Sequence, residues 1–311
     1  MTTDKPDTRL QEERFQSGHM LGIYWETIAR WGFMRAERDA KTLRTPLLLL
    51  QAADVSSPPM QAELAAKLMN HYNPNETGHL HGMLPVHLGM RVRLTDTLDK
   101  TKGLVKDAEG VIVHVALHPA DQARVDAAAA AGDDREPVYL EHIPLGVWLK
   151  MDKYKGAPFA DALHKADPDL SSAVTASLVF LEPTQTLFPF KWRGHSISRI
   201  GFSFSHGRVR TSTACQGKTL HGGVVIDCAR RDDGNHPMED DAWWLHLYVM
   251  ISRATKLDDL LLLRAPPESF LLRGPPEDLR RQLDVFRGRV DTCRQRAEEL
   301  VRELGLQRFL R

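Results

Sequence analysis

The chain has 311 residues, 42% of them hydrophobic, which is enough for about two domains, each with its own buried core. Its 41 basic residues balance 41 acidic ones, which excludes binding of nucleic acid through a broad positive field and requires any such contact to be local. Cys215, Cys228 and Cys293 are widely spaced with no CxxC pair, which excludes a disulfide framework and a cysteine zinc site and suits a reducing interior.

Met1 to Phe15 is charged and polar, and no run approaches the roughly 18 apolar residues that cross a bilayer. A soluble, intracellular protein without membrane contact is therefore expected. From Arg9 to about Met34, the residues Leu21, Tyr24, Trp25 and Ile28 fall at the spacing of one helical face, predicting an N-terminal helical segment over 1–45. Leu47 to Leu50 is a continuous apolar run, and Ser56 to Pro59 combine capping with a first-turn proline ahead of Met60, Leu64 and Leu68. That predicts a strand feeding a helix, the first part of an α/β domain over 46–83.

Period 2 then takes over. Met90, Val92 and Leu94 alternate with Arg91 and Arg93, and Val111, Val113 and Val115 alternate after a turn around Gly103 and Gly110. Val138 to His142 and Val147 to Met151 extend the series beyond the low-complexity stretch Ala127 to Ala131 and the acidic turn Gly132 to Glu136. A small antiparallel module over 84–192 is expected, with Trp148, Phe188, Phe190 and Trp192 in its core. Ile200, Phe202 and Phe204 alternate again, and the α/β pattern resumes over 193–270 with buried strands at Val224 to Ile226 and Leu260 to Leu263 and a helix over Asp240 to Ile251. A charged helix from about Pro276 to Leu304 occupies 271–311.

Three stretches carry chemistry. Thr211-Ser-Thr-Ala-Cys-Gln-Gly-Lys-Thr-Leu220, with Val224-Val-Ile-Asp227 behind it, resembles helicase motif V, Thr-x-His-Lys-x-Gln-Gly-x-Thr followed by a strand. Tyr248-Val-Met-Ile-Ser-Arg-Ala254 resembles motif VI, Tyr-Val-Ala-Leu-Ser-Arg. Leu88 to Leu94, with Lys102 to Val111, looks like the strand pair that opens the small barrel inserted in the second RecA-like domain of these enzymes. In this order, over about 81–265, they make the chain resemble the C-terminal half of a superfamily-1 DNA helicase of the RecD/PIF type.

That resemblance implies an α/β fold: an incomplete second RecA-like domain with an inserted small antiparallel β-barrel and N- and C-terminal helices. It assigns Arg253 to catalysis, because phosphoryl transfer spreads charge over the γ-phosphate and a guanidinium supplied across a domain cleft stabilises it. Tyr248 and Ile251 would pack inward. Thr211, Gln216, Gly217 and Ser252 are expected at the nucleotide, with glycine admitting close backbone approach. Lys218 and Thr219, with Arg91, Arg93 and Lys102 of the inserted module, are expected on single-stranded DNA. Thr213 and Ala214 stand where the family has His and Lys, removing an aromatic donor and a charge.

Gly217-Lys218-Thr219 imitates the end of a phosphate-binding loop, but Ser212 stands where GxxxxGKT needs glycine, and no other Gly-Lys-Ser/Thr occurs. ATP and magnesium are therefore expected only with a P-loop helicase half, in another chain or in part of the gene not seen here, and neither cofactor is expected in isolation. The alternative is a stand-alone module derived from a helicase that binds nucleic acid or protein. His79 and His81, with His71 and His87 nearby, lack the partners of a metal site.

Overall fold

The computed structural model describes residues 7–131, 136–156, 177–189, 191–230 and 238–304. Phe190 and most of the acidic turn Gly132 to Glu136 lie outside them. After a short helix α1 (Glu13–Gln16), strand β1 (His19–Gly22) precedes helix α2 (Trp25–Leu43). The predicted helix from Arg9 to Met34 is thus corrected: Leu21 lies in a strand, fully buried, and the helix begins at Trp25. Gly18 and Gly22 explain the break, since glycine weakens a helix, and a Cβ on Gly18 would lie 2.1 Å from the Gly223 carbonyl oxygen. α2 turns Ile28, Gly32, Arg35, Ala36 and Ala40 inward and ends on Arg44 in the left-handed conformation, shortly before Pro46.

Then come β2 (Leu48–Gln51), β3 (Ala53–Ser57), α3 (Ala62–Met69), β4 (Met83–Val86), β5 (Arg91–Leu94) and β6 (Glu109–Ala116). Helix α4 (Pro119–Ala130) takes in most of the supposed low-complexity spacer, capped by His118 through the Ala120 N–H. The strands β7 (Val138–Tyr139), β8 (Gly146–Met151), β9 (Leu178–Leu181), β10 (Thr184–Leu187), β11 (Ser196–Gly201), β12 (Phe204–His206), β13 (Val209–Thr211) and β14 (Val224–Asp227) follow. The chain continues through α5 (Asp240–Ile251), β15 (Leu260–Leu263), α6 (Glu268–Leu272) and α7 (Glu277–Glu303).

Four sheets result. A parallel sheet runs β13-β1-β14-β15, and α5 packs Trp243, Leu247 and Met250 with Leu21, Val224 and Ile226 in one apolar cluster. An antiparallel sheet runs β12-β5-β6-β8-β9. It is open: among the described residues no pair joins β12 to β9, so the expected closed barrel is not what these strands form. A register shift between Ile112 and His114 breaks the predicted Val111, Val113, Val115 alternation, and the inward residues of β6 are Ile112 and Val115.

The run Leu47 to Leu50 is buried as predicted, but β2 pairs with β4 and β7 and not with the parallel sheet. An apolar run reports burial on both faces and carries no information on which sheet provides it. β10, β11 and β3 form a second antiparallel sheet, where fully buried Arg199 donates to both carboxylate oxygens of Asp54 at 2.7 Å. Phe188 is buried beneath it, whereas Trp148 and Trp192 are only partly covered.

Candidate functional site

The connection from β13 to β14 carries the motif V-like residues and runs beside α5, whose C-terminal end carries the motif VI-like ones. Near its start, the Ser212 N–H donates to the Gly22 carbonyl at 2.9 Å, and Ser212 Oγ lies 2.7 Å from His246 Nδ1 on α5. Burial lowers the pKa of His246, so its ring is neutral at pH 7. Cys215 is fully buried, and its thiol reaches the Ser212 carbonyl at 3.1 Å. Burial pushes that thiol up to about 11, which makes it a packed anchor and not a nucleophile.

Farther along, the connection meets the end of α5. The Leu220 N–H donates to the Arg253 carbonyl at 2.9 Å, and Leu220 bridges Ala254 in parallel. Arg253 uses its side chain in the same place: Nε donates to the Val249 carbonyl at 2.9 Å, Nη1 to the Lys218 carbonyl at 3.0 Å and Nη2 to Ser252 Oγ at 2.8 Å. A guanidinium over the last helical carbonyls also meets the negative end of the helix dipole. Gln216, Gly217 and Thr219 are exposed around this clasp. Gly217 has φ +72°, with nothing within 4 Å of a would-be Cβ, so glycine is needed here for the turn itself, and the backbone beside it stands open.

Arg253, Ser252, Gln216, Gly217, Lys218 and Thr219 are thus brought to one place, while Thr211 is not among them. Its side chain is buried, with its hydroxyl 3.0 Å from that of Thr213, and it lines a cavity of about 230 Å³ between the connection and the inserted sheet. Trp25, Arg93, Lys106 and Thr213 share that cavity. The resemblance also placed Tyr248 inward; it is 55% exposed and stacks on Trp244 at 5.3 Å, whereas Ile251 does pack against the core.

The predicted basic contacts of the inserted module are occupied by carboxylates, whereas Lys218 has no ion pair among the described residues. Arg91 pairs with Glu109 at 3.1 Å and also with Asp152. Arg93 is buried and pairs with Asp107 at 3.0 Å; Lys102 pairs with Asp99 at 3.2 Å. Lys106, exposed at the cleft, has no ion pair among the described residues. Sequence reasoning also missed Arg210, fully buried on β13 and paired with Glu109 of β6, which pins the inserted sheet to the parallel one. No local pattern announces such a residue, because its burial is created by contacts across 101 positions. Asp227, at the end of β14, is taken up by Arg264 Nε at 2.9 Å and the Ala229 N–H at 3.0 Å.

No helix among the described residues is long and apolar enough to cross a membrane. No protein-family model matches the chain, and no curated protein matches it. Among solved structures it is similar to the Pif1 helicase from Candida albicans, with 16% identity and a TM-score of 0.47, over 86% of this chain and 49% of that one. A structure of two coordinating Pif1 helicases unwinding forked double-stranded DNA matches with 11% identity and a TM-score of 0.49, over 91% and 47%. Bacteroides Pif1 bound to single-stranded DNA matches with 11% identity and a TM-score of 0.47, over 88% and 46%. The chain is similar to Pif1 helicases and spans about half the length of each one it matches.

Proposed function

We propose that the chain works as the second half of a DNA helicase motor, contributing Arg253 to ATP held by a P-loop half and guiding single-stranded DNA through the cleft beside Thr211 and Thr213. One observation carries this reading. A single connection is clasped to Arg253 at Lys218 and Leu220 and lines the cleft at Thr211 and Thr213. A shift at the end of α5 would therefore move the cleft wall, which is the link a nucleotide-driven translocase needs between its two ligands.

In this reading ATP and magnesium arrive with the P-loop half, and Arg253 leaves the Lys218 carbonyl to meet the γ-phosphate as the halves close. Gly217 keeps the exposed backbone open to that ligand. Lys106 supplies the phosphate contact that Arg91, Arg93 and Lys102, already ion-paired, supply less readily, and Trp25 offers a ring for a base. Mixing the chain with the P-loop half of a Pif1-type helicase tests this: DNA-stimulated ATP hydrolysis should appear with the native chain and fail with Arg253→Ala.

One feature favours the second reading, a binding module without motor function: Nε, Nη1 and Nη2 of Arg253 are all engaged inside the chain. No stimulation at any mixing ratio, together with retained DNA affinity, would establish that alternative.

A further inference from the structure

Helix α7 has no buried residue along Glu277–Glu303. Its apolar residues, Val285 and Val301 apart, nevertheless recur in alternating steps of four and three: Leu279, Leu283, Phe286, Val290, Cys293, Ala297, Leu300 and then Leu304. Leu283 is 41% exposed, Phe286 64%, Val290 49% and Leu300 54%, so this is an open seam. A repeat of 3.5 residues is the signature of a helix that supercoils against another helix, with these side chains at the a and d positions.

The residues flanking the seam indicate its occupant. The eight e and g positions are Arg280, Gln282, Arg287, Arg289, Arg294, Arg296, Val301 and Glu303, so arginine dominates and only one is acidic. Arg289, Arg294 and Arg296 have no ion pair among the described residues, and Arg287 meets only Asp284 on its own helix at 3.3 Å. A second copy fits poorly. A parallel pair would set Arg289 against Arg294 of the other copy, and an antiparallel pair would face arginines with arginines. A membrane surface would call for a broad apolar face; this stripe is narrow, with small Ala297 and Cys293 within it.

We propose that α7 is a docking helix for an amphipathic partner helix whose apolar seam is flanked by Asp and Glu. The test uses the full chain and two synthetic four-heptad peptides with the same Ile/Leu seam, one with Glu and the other with Lys at every e and g position. Anisotropy titrations at physiological salt should show the Glu peptide binding about tenfold tighter or more. Arg289→Glu with Arg294→Glu and Arg296→Glu should reverse that preference, and Phe286→Asp should abolish binding of both peptides. Because α7 buries nothing, these variants should keep the parent circular dichroism and melting temperature, which separates lost docking from lost folding.

Equal affinity for the two peptides, or binding indifferent to Phe286→Asp, would overturn the proposal. A dimer in sedimentation that dissociates with Phe286→Asp would assign the seam to a second copy. Binding of phosphatidylserine vesicles or a single-stranded oligonucleotide that is lost on arginine reversal, with no binding of the Glu peptide, would assign the arginines to phosphates.

Discussion

Replacing Arg253 with alanine removes the hydrogen bonds from Nε, Nη1 and Nη2, at 2.9, 3.0 and 2.8 Å, from a half-buried guanidinium. At about 0.5–1 kcal/mol net for each bond, Arg253→Ala should cost about 2 kcal/mol of folding stability. Arg253→Lys keeps the charge and at best one of those bonds, so it should fall between, at about 1 kcal/mol. Urea unfolding of the three proteins measures both values. The same variants separate clasp from catalysis: if the guanidinium also meets a phosphate, Arg253→Lys should lose most of the stimulated ATP hydrolysis while keeping much of the stability. Less than about 0.5 kcal/mol lost in Arg253→Ala would refute the clasp. Normal hydrolysis in the complemented mixture would refute the catalytic role.

Gly217→Val should lower stability by about 1–2 kcal/mol through the left-handed backbone alone, since no atom crowds the site, whereas Gly217→Asn should retain most of it. Calorimetry of the two variants checks the ordering, and equal melting temperatures would show that the loop does not need φ +72°. His19 and His206 are buried and held neutral, with folded pKa values lowered from 6.5 to about 3 by loss of hydration, and for His19 also by Arg208. Between those values the unfolded chain binds more protons, so their contribution is present above about pH 6.5 and is lost as pH falls toward 3. At a pH one unit below the unfolded value each should cost roughly 1.4 kcal/mol, and His206→Gln should remove its own share of the fall, to which His81, lowered to about 4 by burial, also contributes. A urea midpoint insensitive to pH across that interval would contradict their burial. Glu109→Gln leaves fully buried Arg210 without its nearest carboxylate and should cost about 2–3 kcal/mol; an unchanged unfolding curve would show that the two sheets are held by other contacts.

What could be read in advance follows from how local each signal is. α5 and β15 run over Asp240–Ile251 and Leu260–Leu263 as expected, because a dense apolar helix and a four-leucine strand are specified by their own residues. β1 was hidden because Leu21, Tyr24, Trp25 and Ile28 fit a helical face by coincidence, and only the pairing of His19 to Gly22 with β14 on one side and β13 on the other makes that segment a strand. The meeting of Lys218 and Leu220 with Arg253 follows the order of the two motif-like segments. The ion pairs that neutralise Arg91 and Arg93 do not, because Asp152 and Asp107 reach them through sheet register. That Lys106 stands at the cleft without an ion pair among the described residues became visible only once those pairs were in place.

The proposed function requires this chain to hold single-stranded DNA in the cleft beside Lys106. It is tested by titrating a labelled oligonucleotide at about 50 and 200 mM salt, where two phosphate contacts should weaken binding roughly sevenfold. Binding should be salt-sensitive, with Lys106→Ala removing about one contact from the salt slope and Trp25→Ala weakening affinity at both salt concentrations. Absence of binding at the lower salt, or binding unchanged by both substitutions, would contradict it.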